Sequence, residues 1–178
     1  MFDDDIKIAG NKPSVSIKEN SVSPSGDESI PKEKINAAKK LGEVIAKEFC
    51  KAFEAYPNAV EEPDDNMMVQ RLLLLSFTAT VGLDKHLQNE TLAGIAQKSF
   101  LKTVKNTSDE LYKYTSDTGA FSFYYLAYRR GSEVERRMGQ TFAMLCSHDG
   151  DPIYQELGEV LFCWFSSVIK AAVADIFC

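Results

Sequence analysis

Cys146, His148, Asp149 and Asp151 fall within six consecutive positions and bring together a thiol, an imidazole and two carboxylates. Such groups are ordinary zinc ligands, and a thiol beside an imidazole is the core of a cysteine nucleophile. The segment His148-Asp149-Gly150-Asp151-Pro152 also spells a turn followed by a helix cap with proline in the first helical position. Spacing favours the cap. The chain has no C-x-x-C pair and no H-E-x-x-H. The Glu-x-x-His of di-iron bundles is missing too, because Leu83 stands three residues before His86 and Leu145 three before His148. With two histidines in all, a histidine-dependent metal centre is not expected, and the 146–151 cluster is the weak metal candidate that remains. Adjacent loop residues rarely meet thiolate–imidazole geometry. No G-x-S-x-G elbow, G-x-x-x-x-G-K-[ST] loop or G-x-G-x-x-G turn occurs either. The sequence therefore predicts no catalytic residues and no cofactor.

The densest chemistry lies in Phe121-Ser-Phe-Tyr-Tyr-Leu-Ala-Tyr-Arg-Arg. Tyr124 and Tyr128 share one helical face and Arg129 follows, so with Trp164 from the last helix they could wall a pocket for a planar or anionic ligand. The competing reading packs the tyrosines into the core with their hydroxyls at the surface. Arg129, Glu133 and Arg137 then form a solvated ladder at four-residue spacing.

Charge narrows the partners. Lys and Arg number 20 against 26 Asp and Glu, a net charge of -6, which gives no general attraction to phosphate backbones or anionic lipid. No nucleic-acid or membrane partner is expected. The opening Met-Phe-Asp-Asp-Asp carries acids where an export signal would carry positive charge. The four scattered cysteines, Cys50, Cys146, Cys163 and Cys178, suit reduced thiols in the cytoplasm. Val160 to Ile169 is the most membrane-like run, but a spanning helix needs roughly 20 apolar residues, and extending this one takes in Lys170 and Asp175. It reads as a helix buried in a core.

These residues need helices to position them, and the pattern supplies almost nothing else. Residues 1–30 are rich in Ser, Pro and Gly and form an arm. Alternation at Ile6/Ile8 and Val15/Ile17 about Gly10-Asn11-Lys12-Pro13 would suit a short β-hairpin there. From Pro31 a stripe of Ile35, Ala38, Leu41, Ile45, Phe49, Ala52 and Tyr56 defines a first helix, ended by Pro57. The acids Glu61, Glu62, Asp64 and Asp65 lack calcium-loop order and read as caps for a second helix over about 67–86. That helix is apolar or small on every side from Leu72 to Val81. A third helix runs from about Glu90 to Lys105, and Thr107-Ser-Asp-Glu110 matches a capping box that restarts a short fourth. A fifth is expected from Asp117 to Leu145 with Gly131 as a crossing point or kink. A last helix follows Asp151-Pro152.

The expected architecture is an all-α bundle of five or six helices over residues 31–178, with the arm at 1–30. Two helices that are apolar all round are many for so small a domain. Either they form a central pair wrapped by the others, or one face is buried by self-association, most often as a symmetric dimer. The functional expectation is a protein acting through protein–protein contacts, homo-oligomeric. The alternative is a sensory bundle binding a small molecule between the tyrosines and an arginine.

Overall fold

The computed structural model describes residues 30–54, 65–115 and 118–177. Among them the fold is all-α, with seven helices and no strand: α1 (Lys32–Glu54), α2 (Asp65–Leu87), α3 (Glu90–Thr107), α4 (Asp109–Tyr114), α5 (Thr118–Arg129), α6 (Val134–Leu145) and α7 (Pro152–Phe177). The hairpin expected in the arm, Tyr56 of the first stripe and the acid-rich stretch before Asp65 lie outside the described residues.

Helix α2 occupies the centre. Every residue from Leu72 to Ala79 is buried, as the all-round apolar pattern requires. Its two buried hydroxyls are satisfied: Thr78 Oγ1 donates to the Leu74 carbonyl at 2.7 Å, and Ser76 Oγ donates to that of Thr115 at 3.4 Å. Around it, α1 lies along α3 and α6 lies along α7, while α7 also packs on α2. Both peripheral pairs approach backbone to backbone through glycine. A Cβ on Gly42 of α1 would collide with the Ala96 carbonyl of α3. One on Gly139 of α6 would collide with the Gln155 carbonyl of α7, where Gly158 faces back. The stripe predicted for the first helix is the buried face of α1, with Leu41, Ile45 and Phe49 fully enclosed and Phe49 edge-on to Phe100 of α3 at 5.6 Å.

Two local predictions are corrected. The restart before α4 is capped by Ser108 rather than Thr107: Ser108 is extended (φ −157, ψ 119) and its Oγ accepts from the Leu111 N–H at 3.2 Å. The helix expected from 117 to 145 is two helices, which raises the number to seven. The chain turns at Gly131 (φ +76) and Glu133 (φ +50), both left-handed, and the Arg137 side chain closes the turn by donating to the Ser132 carbonyl. Glu133 therefore does not join a ladder with Arg129 and Arg137. It pairs with Arg136 at 3.4 Å, a contact too exposed to matter much for stability.

The start of α7 is as expected. Asp151 Oδ1 accepts from the Ile153 N–H at 2.8 Å and Pro152 occupies the first helical position. The rest of α7 is not the enclosed core helix that its composition suggested. Both 66–87 and 152–177 are long and apolar enough to cross a membrane by length and composition, but 56% of the apolar stretch of the first is buried and 28% of that of the second.

Candidate functional site

The aromatic segment of α5 packs inward on Phe77 of α2. Phe121 meets that ring edge-on at 5.7 Å, Tyr124 lies tilted on it at 5.6 Å and Tyr128 meets it edge-on at 6.2 Å. Spacing of three and four residues puts these side chains on one face of α5, and the face is a core face. Tyr124 is fully buried and its hydroxyl has no hydrogen-bond partner among the described residues. The expectation that both tyrosine hydroxyls reach the surface fails here. Burial, with Cys146 nearby, holds the Tyr124 phenol well above its usual range, so it stays neutral. Tyr128 is half-buried, and its phenol is raised by burial and then by the Asp84 carboxylate.

Arg129 leaves this cluster. Its guanidinium lies over the outer Tyr125 ring, 5.6 Å from the centroid. Trp164 sits on α7, 41% exposed and tilted against Phe165. The four residues proposed as a ligand pocket are therefore divided: Tyr124 and Tyr128 share one cluster, while Arg129 and Trp164 each face solvent elsewhere. A cleft of about 510 Å³ does open beside the cluster, between Phe77, Val81 and Asp84 of α2 and Phe121 and Tyr125 of α5. Its charged group is a carboxylate, not the expected arginine. Asp84 is raised from the ordinary carboxyl value, chiefly by burial, and Gln97 donates to it at 2.8 Å.

The 146–151 cluster also disperses. Cys146 is buried and caps the end of α6, while His148 is exposed and stacks on Tyr154 at 3.8 Å. Asp149 is exposed in the turn and Asp151 serves α7 as its cap. Among the described residues, no three His, Cys, Asp or Glu side chains gather in a set that could hold a metal ion.

The surface that stands out was not among the predicted site residues, apart from Trp164. Helix α7 buries Gly158, Leu161, Phe162, Phe165, Ile169 and Ala172 against the bundle. Its opposite side carries Ile153, Leu157, Val160, Trp164, Ser167, Ala171 and Ala174. These recur at alternating spacings of four and three and so line one side of the helix as a seam. Ile153 is 74% exposed and Val160 56%. All but the half-buried Leu157 are exposed. The signal was present in the sequence as a heptad, but it was hidden by a second apolar face on the same helix. Scans against protein-family models, curated proteins and solved structures return no match to this chain.

Proposed function

We propose that this protein is a non-enzymatic helical module that acts through protein–protein contact and self-associates through the outer face of α7. One observation carries the reading: a heptad-spaced row runs the length of a 26-residue helix and faces solvent, large and apolar from Ile153 to Trp164 and small from Ser167 to Ala174. Large apolar side chains exposed in one row, unlike singly scattered ones, are a feature of interaction surfaces. A bilayer is a poorer occupant than protein, because Glu156, Lys170 and Asp175 are exposed on or beside the seam and each charge is costly at membrane depth. The scattered cysteines keep the cytoplasm as the proposed compartment. Sedimentation velocity across a concentration series tests the proposal. The wild-type chain should sediment as a dimer or larger species, and Val160→Glu should sediment as a folded monomer. A wild-type monomer at every concentration would defeat it.

A second reading, small-molecule binding, is favoured by the 510 Å³ cleft on Phe77, Phe121 and Tyr125, which is within the size range of ligand sites. Its test is displacement: a bound compound should quench exchange of the Phe121 and Tyr125 ring signals, and Tyr125→Ala should abolish the effect.

A further inference from the structure

The seam of α7 is not uniform along its length, and the asymmetry selects a pairing. Its N-terminal half carries the large residues Ile153, Leu157 and Val160, and its C-terminal half carries the small ones, Ser167, Ala171 and Ala174. Trp164 lies between them. Two such helices set parallel would place large against large at one end and small against small at the other. The interface would then be a wedge, packed at one end and empty at the other. Interfaces at interior density do not tolerate that. Set antiparallel about a two-fold axis near Trp164, Ile153 meets the other copy's Ala174, Leu157 its Ala171 and Val160 its Ser167, so each layer on either side of the central Trp164 pair sets a large side chain against a small one.

Charge points the same way. At roughly 100° per residue, Glu156 and Lys170 lie on the same flank of the seam, one in each half, and both are exposed. In an antiparallel pair like flanks face each other, so Glu156 of each copy comes opposite Lys170 of the other, giving two symmetric ion pairs. A parallel pair sets this flank against the opposite one, where Lys170 would meet the other copy's Asp175 but Glu156 would face Leu161, so only one of the two charges is matched. The volume pattern and the charge pattern are independent, and both are self-complementary. A second copy of this chain therefore fits the seam better than an unrelated helix would.

Resting on the self-association proposed above, we infer that the protein forms a two-fold symmetric dimer in which α7 helices pack antiparallel, crossing at Trp164. Directed disulfide formation in the full chain tests the inference. Cys163 and Cys178 are first replaced by Ser, while Cys50 and Cys146 are buried and can remain. Ala171→Cys and Leu157→Cys proteins are then oxidised under mild conditions, separately and mixed. The expected result is a covalent dimer from the mixture and little from Ala171→Cys alone. Efficient Ala171→Cys self-crosslinking would overturn the antiparallel arrangement while leaving self-association standing. No crosslink in any combination, with both variants sedimenting as monomers, would overturn both. With cysteines left native, Glu156→Lys and Lys170→Glu should each weaken the dimer roughly three- to tenfold, and the double variant should restore it. Failure of the double variant to recover would count against the pairing.

Discussion

Replacing Gly139 by Ala should destabilise the protein, although the same change in an open helix would stabilise it. Two effects compete. In a helix interior Ala is favoured over Gly by about 1 kcal/mol, because Gly surrenders more backbone freedom on folding. At Gly139 the new Cβ would overlap the Gln155 carbonyl oxygen and come within 3.2 Å of the Glu159 nitrogen, both backbone atoms of α7. No rotamer relieves that overlap, so α6 and α7 must move apart and loosen Met138, Phe142 and Phe165, all fully buried. Overpacking of this kind costs about 1–3 kcal/mol, and the upper part of that range applies where backbone must yield. The net expectation is a loss of about 2 kcal/mol, or a melting temperature lower by about 4–8 °C for a chain of this size. Gly94→Ala on α3 is the internal control. Its Cβ would meet nothing within 4 Å, so it should gain about 1 kcal/mol. Urea unfolding of the three proteins side by side is the assay. Equal shifts of the same sign for both variants, or a Gly139→Ala protein as stable as wild type, would refute the close α6–α7 crossing.

Tyr124→Phe should raise stability by about 1 kcal/mol in urea unfolding, because it removes a fully buried hydroxyl without a partner among the described residues; a loss would mean that the hydroxyl has one. Ser108→Ala and Asn89→Ala each remove a side-chain cap, from α4 and α3, and should cost about 1 kcal/mol by the same assay. His86 is held below the ordinary histidine value by burial, then by Lys85 and Lys170. Its depressed folded value means that the unfolded chain takes up the proton first. Stability linked to His86 is present above the unfolded value and falls with pH from about 7 towards 5. His86→Gln should flatten that part of the melting-temperature profile, and an unchanged slope would exclude the residue as its source.

The parts of the fold written in local chemistry were legible. Asp151-Pro152 sets the start of α7 through a cap and a fixed backbone angle, neither of which depends on the rest of the chain. The stripe of α1 could be read because its apolar residues occupy one side only. The break between α5 and α6 was legible only as a possible kink at Gly131, because the three-and-four spacing of Tyr128, Gly131, Glu135 and Met138 continues across the turn. The helix stops at the left-handed Gly131, and a second left-handed residue, Glu133, which nothing in the sequence announces, starts the next one. Residue types marked Tyr124 and Tyr128 as aromatic neighbours, but Trp164 and Arg129 were placed by how helices pack, which a single pattern underdetermines. The same limit hid the outer seam of α7. A helix apolar all round does not reveal which side the protein itself covers.

Native mass spectrometry of the full chain, sprayed from gentle conditions, is the most direct test of self-association. A species at twice 19.9 kDa, with no added mass and lost on Val160→Glu, is the predicted result. A monomer at 19.9 kDa, whether bare or carrying a discrete extra mass, would contradict it.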